Sequence, residues 1–594
     1  MPPAGLLIGP VLRRVVDTRA TIWVETAAPA LVTVRVEGGA AGEARTFSAY
    51  GHHYALVVVE GLTPGAAAPY EVLLDGVRAW PEPDSPYPPS VIATRRADDR
   101  DEPVRLIFGS CREATQHSMG NKLPPDALDA FARRLMADGG PRPDLMVLLG
   151  DQVYADMTSR EVRRFLRRER RRRRFKAKLS DAPPHQVVTF DEYTRLYLES
   201  WRDPEIRWLL STVPSVMIFD DHEIIDDWNS SASWREAAKR QSWWSERITS
   251  GLASYWVYQH LGNLHPDDLA DDALYPKVVA AGDATEILRE FGQRVDKEAD
   301  AAHDTERWRA TQYQWSYRLD LGRTRLVMLD NRCSRVLDPG ARAMLPPGEW
   351  SWFLDQAHGD YEHLVVGSSL PWLLPHGIHH LEAWNERLAA SPRRLVASLS
   401  ETARRAVDLE HWAAFHRSFE DLAELFARIG SGPRTAAGET AVGAGPAYAA
   451  PASINVLSGD VHHSYVARVR FADEAVTTPV HQLTCSPIHN QVPAVMKPVM
   501  TLAWWRGLSG LLRALAKAAG VARPPVRWRK LAGPYFGNAV STLSIAGRTA
   551  SVTIEGTLPD GTLTRVATVP LTAVAPAPRA PLEPQTEGVA GWSG

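Results

Sequence analysis

Four stretches of the chain end a short apolar run on side chains that hold metal ions or move protons. Val104-Arg-Leu-Ile-Phe-Gly runs into Ser110 and Cys111. Leu145-Met-Val-Leu-Leu stops at Gly150 and is followed by Asp151, with Tyr154 three residues on. Ser215-Val-Met-Ile-Phe leads to Asp220-Asp221-His222-Glu223, and Ile454-Asn-Val-Leu-Ser leads to Gly459-Asp460-Val-His462-His463. A carboxylate directly after a buried strand sits at the C-terminal edge of its sheet, where open α/β sheets bind ligands. Taken singly, each stretch has a plain alternative: Asp151 could be a helix N-cap, Cys111 a small core residue, Tyr154 a packing residue. Their recurrence favours convergence of Cys111, Asp151 with Tyr154, Asp220 or Asp221 with His222, and Asp460 with His462 or His463 on one edge of a sheet. Carboxylates brought that close repel unless cations lie among them. Thiolate, phenolate and carboxylate together suit Fe³⁺, and further carboxylates suit Ca²⁺ or another oxygen-seeking divalent ion.

The chain divides into two domains, and all of these residues fall in the second. Residues 1–97 form an all-β domain, with alternating runs at Ala20-Thr-Ile-Trp-Val-Glu, Leu31-Val-Thr-Val-Arg-Val and Tyr54-Ala-Leu-Val-Val-Val separated by turn residues. Their spacing suggests a small sandwich of the immunoglobulin or fibronectin type. A proline-rich connector near Trp80 and the charged run near Arg95 mark the boundary. Residues 98–575 form the second domain, with strands alternating with helical stretches as in a layered α/β fold. Helical insertions are expected near 157–310, 381–430 and 496–519, an Ala/Gly-rich loop at 434–451, and a disordered proline-rich tail at 576–594.

Composition bounds the function. The net charge of -3 gives no global attraction to nucleic acid or acidic membranes. Three cysteines in 594 residues are no disulfide framework, so each is free to be a core residue or a ligand. No basic region precedes a long apolar stretch at the N-terminus, and no run reaches the roughly 18 apolar residues of a membrane span, so a cytoplasmic location is expected. The arginine-rich run Arg160 to Lys178 could contact nucleic acid. With no aromatic platform interleaved, a solvated helix at the cleft's edge is favoured. Met496 to Ala519 could be an interfacial membrane helix, but a packed helix or a lid over the site is favoured.

The ordered motifs Gly109-Ser-Cys111, Gly150-Asp-Gln-Val-Tyr-Ala-Asp156, Asp220-Asp-His-Glu223, Leu329-Asp-Asn-Arg332 and Ser458-Gly-Asp-Val-His462 resemble those of the PhoD-type alkaline phosphatases, within the calcineurin-like metallophosphatases. The resemblance implies a two-layer β-sandwich flanked by helices, with Fe³⁺ and Ca²⁺ at the strand ends. It implies that Cys111 and Tyr154 bind iron, that Asp151 bridges the metals, and that Asp221, Asp460 and His462 complete the cluster. His222 would stand beside the phosphate, and Arg332 would contact phosphate or support the site. Two departures stand out. Where the family has an Asp-Asn-Asn run, this chain has Ile225-Asp226-Asp227-Trp228, which leaves open whether Asn229 replaces the phosphate-side contact; family members are often exported, which no signal here supports. In an extended Asp-x-His unit the Asp and His share a side, which selects His462 over His463. His376, His379 and His380 read as a structural loop, and Cys333 and Cys485 as non-ligands.

The expected activity is hydrolysis of a small phosphate ester, monoester or diester, by in-line attack of a metal-bound hydroxide, with His222 protonating the leaving oxygen. The alternatives are a nuclease-like phosphodiesterase and a metal-bearing binding protein without turnover. The natural ester and the oligomeric state are not legible in the sequence.

Overall fold

A computed structural model describes residues 5–573 apart from 97, 116, 119–120, 139, 173–180, 301–312, 339–340, 407–408 and 433–448. The tail expected at 576–594, most of the Ala/Gly-rich loop and the end of the arginine-rich run lie outside the described residues.

The N-terminal strands form two sheets. One orders Leu6–Val16, Arg19–Thr26, His52–Val59 and Phe47–Ala49; the other is built on Leu31–Val36 and Ala67–Leu74. Alternation explains their pairing: Val32, Val34 and Val36 turn inward while Arg35 is exposed. The inward side chains join Leu12, Ile22, Tyr70 and Trp80 in one core. The opposite face of the first sheet is apolar too. Ile8, Val11, Trp23 and Tyr54 enter a core shared with the helices Phe190–Trp201 and Trp244–Tyr255. Trp23 and Tyr258 have ring centroids 5.2 Å apart. Buried Arg13 donates to the Gln259 carbonyl at 2.6 Å and to Asn263 at 2.8 Å.

The rest is mixed α/β, with two large sheets face to face. The first orders Ser215–Met217, Leu145–Leu148, Val104–Gly109, Ala539–Ala546, Thr549–Thr557 and Leu563–Pro570, its first three strands parallel. The second has seven strands, among which Thr324–Leu329, His363–Ser368, Ser453–Ser458 and Val480–Thr484 run parallel. These parallel strands are buried at almost every position because both faces are covered. Leu106, Val147 and Val216 of the first sheet meet Leu326, Val365 and Leu457 of the second between the layers. Their neighbours Ile107, Met146 and Met217 face outward onto helical residues such as Tyr193, Leu209 and Ile248. Val327, Val366 and Val456 face the other way, onto Phe353 of Pro347–Gln356 and Phe419 of His416–Gly430.

In the helix Ala127–Asp138, the Asp126 carboxylate accepts from the Leu128 amide at 2.8 Å and sets the start. The insertion at 381–430 resolves into His376–Ala389, Arg394–Ala406 and His416–Gly430. The arginine-rich run forms the helix Arg160–Arg172, which buries only Val162 and Leu166. Among the described residues no helix is long and apolar enough to cross a membrane.

Candidate active site

The strand tips do not converge on one sheet, as the sequence reading expected. Cys111, Asp151 and Asp220 follow parallel strands of the six-stranded sheet, whereas Asp460 follows Ser453–Ser458 of the seven-stranded one. The site spans the seam between the layers, because each sheet ends its parallel strands at the same rim. Two glycines allow the tips to meet. A Cβ on Gly150, whose φ is +104°, would lie 2.5 Å from the Asp220 Cβ. One on Gly459 would lie 2.0 Å from the Ser110 hydroxyl. Cys111, Asp151, Asp460 and His462 all have positive φ, between 49° and 65°. Each such residue costs on the order of 1–3 kcal/mol and persists only where its surroundings over-determine it.

At the seam the ligand atoms of Asp151, Asp220, Asp221 and Asp460 lie within 4.8 Å of one another; Asp151, Asp221 and His222 form an overlapping group. Asp220 therefore belongs with Asp221 rather than replacing it. Asp151 Oδ1 and Asp220 Oδ2 are buried without a hydrogen-bond partner. Burial, then the neighbouring charges, pushes the Asp151 carboxyl well above its ordinary range; burial, partly offset by Arg332, lifts Asp220 to about 6. Orphaned, mutually repelling oxygens are what a cation satisfies, so these residues fit a metal centre.

The Cys111 Sγ lies 3.2 Å from Asp151 Oδ2 and accepts from the Ser486 hydroxyl at 3.3 Å. Burial pushes its thiol up to about 12. The Tyr154 hydroxyl accepts from Asn490 at 2.9 Å, and its ring centroid lies 4.5 Å from that of His222. The argument that chose His462 over His463 fails, because Asp460 and His462 are left-handed and not extended. His462 is nonetheless the one that senses both Asp460 and His222; burial lowers it to about 4. His463 Nδ1 donates to the Val461 carbonyl at 2.7 Å, and its ring stacks on Tyr465.

His222 Nδ1 is 3.0 Å from Asp156 Oδ1. Burial pulls this imidazole's pKa down, but Asp156, Asp221 and Asp151 together outweigh it and hold it well above 6.5. Arg332 is fully buried, with four of its five N–H groups donating. Nε donates to Asp220 at 2.5 Å, and Nη1 and Nη2 donate to the two Glu410 oxygens at 2.5 Å each. Asn229 donates to the Arg332 carbonyl at 2.6 Å and accepts from Arg235 at 2.8 Å.

Sequence reasoning missed Glu382, Glu410 and His411, and gave Glu223 no role. Glu223 accepts from the amides of Asp151 (3.2 Å), Gln152 (2.7 Å) and Asp220 (2.9 Å), tying two tips together. Glu410 clamps Arg332. His411 bridges Asp460 at 3.0 Å and Glu382 at 2.6 Å. The one available signal was Leu409-Glu410-His411-Trp412, a charged pair between large apolar residues. His376, His379 and His380, expected in a loop, instead open the helix His376–Ala389: His376 bonds the Trp528 carbonyl at 3.0 Å and stacks on that indole, and His379 is buried beside Phe419. Cys333 and Cys485 are buried in packed surroundings.

Residues 3–92 match a family described as a domain of unknown function (DUF7800), and residues 120–335 match one described as PhoD-like phosphatase. The latter segment holds Asp151, Tyr154, Asp221, His222 and Arg332, while Cys111, Asp460 and His462 lie outside it. A comparison with curated proteins gives no match. A solved structure titled "Structure of PhoD" superposes with a TM-score of 0.56 at 10% identity, covering 97% of this chain and 94% of that one; at that identity the likeness is one of fold. The chain thus matches the PhoD-like phosphatase family over residues 120–335 and shares its fold with that PhoD structure along nearly its whole length.

Proposed function

We propose that the protein is a cation-dependent phosphoric ester hydrolase acting on small phosphomonoesters or phosphodiesters at the seam between its two large sheets. The observation that carries this reading is the buried group Asp151, Asp220, Asp221 and Asp460, with two of its oxygens unpaired. Cys111, Tyr154 and His462 flank it, and with Asp151, Asp221 and Asp460 they are the proposed ligands of Fe³⁺ and Ca²⁺. Cations held there supply water activation and neutralisation of phosphoryl charge. The chain's own residues do the rest. His222, kept protonated by Asp156, holds a proton for the leaving oxygen. Its ring is fixed between that carboxylate and the face of Tyr154. Arg332 spends its donors on Asp220 and Glu410, so we assign it positioning of the carboxylates and not contact with phosphate. The N-terminal sheets are read as a sandwich of the immunoglobulin or fibronectin type.

Metal content and turnover of a chromogenic phosphomonoester and phosphodiester test this in wild type, Asp151→Ala and Cys111→Ala. Both variants are expected to lose metal and activity; full retention of both in both variants overturns the reading. Metal without turnover of either ester in the wild type would leave a binding protein. The nuclease-like alternative would show as salt-sensitive nucleic-acid binding that weakens when the exposed arginines of Arg160–Arg172 are neutralised.

A further inference from the structure

The segment after the site reverses the chain's electrostatic balance. The whole protein carries -3, yet residues 475–554 contain no Asp or Glu, and residues 496–530 contain eight Lys and Arg. Within this stretch lie two helices, Met496–Leu502 and Arg506–Ala518. A helix packed on a globular protein normally turns its large apolar side chains inward. These helices do so only in part. Ala516 is buried, and Leu512 rests near Gly377 of the helix His376–Ala389. Val495, Val499, Leu502, Trp505, Leu511 and Leu515 are 47–74% exposed, and they make up half of the large exposed apolar residues described in the chain. The spacings 495, 499, 502 and 511, 515 put each set on one helix face, with Trp505 at the junction.

Beneath the second helix a cleft of about 600 Å³ is lined by Trp504, Trp528 and six Arg and Lys side chains, Arg506 and Arg513 among them, with no carboxylate. An outward apolar stripe over a purely basic cleft is the composition of a helix that lies in a bilayer interface, leucine and tryptophan in the acyl boundary and cations among anionic headgroups. A second copy of the chain is a poor occupant, because a self-complementary contact would set basic cleft against basic cleft. Nucleic acid would use the charge but not the leucine and valine stripe.

We propose that Met496–Leu502 and Arg506–Ala518, with the basic cleft beneath them, form a docking face for an anionic lipid bilayer. The face adjoins the candidate active site. Trp504 lies 5.4 Å from Tyr465, whose ring stacks 5.1 Å from that of His463. Asn490, six residues before Met496, donates to Tyr154. Docking therefore brings the seam close to the membrane surface. The inference does not depend on which ester, if any, is cleaved.

Co-sedimentation of the full chain tests it, with vesicles of phosphatidylcholine alone and of phosphatidylcholine mixed with phosphatidylglycerol. Partitioning at least about ten-fold stronger onto the anionic vesicles, falling with salt, is expected. Arg506→Gln and Lys517→Gln should each weaken it about five-fold. Leu511→Ser combined with Leu515→Ser should weaken it about ten-fold or more, with thermal melting near wild type because both side chains are exposed. Val499→Ser on the other helix gives an independent reading should that pair unfold. Absence of partitioning, equal partitioning onto neutral vesicles, or variants that bind like wild type overturns the proposal. So does binding of inorganic phosphate without vesicle binding, or self-association abolished by Leu511→Ser.

Discussion

The Nε2 of His411 sits 3.0 Å from Oδ2 of Asp460, while its Nδ1 sits 2.6 Å from Glu382. Burial alone would keep this imidazole neutral; Glu382 and Asp460 outweigh it and hold the pKa near 10. A carboxylate–histidine–carboxylate chain thus runs from the helix His376–Ala389 to the tip of Ser453–Ser458. It orients one proposed ligand without itself joining the group.

His411→Ala should therefore weaken metal binding without removing a ligand. Loss of an orienting partner of this kind typically lowers metal affinity about 10–100-fold. Titration of metal into the stripped protein, read by turnover and by elemental content, measures it. An unchanged affinity would show that Asp460 is held by its backbone alone.

Arg332→Gln should destabilise the fold as well as the site. Its guanidinium lies between Asp220 and Glu410, all three fully or nearly fully buried. Removing one partner of a buried ion pair costs about 3–5 kcal/mol. Chemical denaturation should show that loss, and the double variant Arg332→Met with Glu410→Met should regain part of it. A loss under about 1 kcal/mol would mean that water reaches the cluster.

Gly150→Ala should be worse than an alanine at an equally strained but open glycine. Gly38, with φ +101°, has no atom within 4 Å of an added Cβ, whereas Gly150 has Asp220 at 2.5 Å. Gly38→Ala carries backbone strain only; Gly150→Ala adds overpacking of about 1–3 kcal/mol and displaces Asp220. Melting temperature and turnover of the two variants give the comparison, and equal losses would contradict it.

His52 couples the N-terminal sheets to the helical layer and supplies a pH dependence. Its ring lies 3.1 Å from Glu25 and 3.3 Å from Asp191. Burial lowers its pKa, but the two carboxylates outweigh burial and raise it from 6.5 to about 9. A raised histidine pKa means that the folded state holds the proton more tightly. The stabilisation is complete below about 6.5 and is lost as pH rises through about 9. The melting difference between wild type and His52→Gln should be largest below about pH 6.5 and shrink as pH rises to about 9; a difference that grew with pH would sink this assignment.

Much of the site was legible in the sequence because a parallel strand announces its own end. Leu145–Leu148 is apolar throughout and Ser453–Ser458 carries Ile454, Val456 and Leu457, and the residues directly after such runs must stand at a sheet's rim. That local rule places Cys111, Asp151, Tyr154, Asp220, Asp221, His222, Asp460 and His462 near one another from the sequence alone. It could not show that two sheets share the rim, since facing layers are chosen by the alternation of residues such as Leu106 and Ile107 across strands distant in sequence. Nor could it find Glu382, Glu410 and His411, which lie in helical or loop segments whose polarity looks like solvent exposure. Asp460 is 49 residues from His411 in the chain, and Arg332 is 78 from Glu410. Only tertiary packing brings such charges together and removes the water that would otherwise screen them.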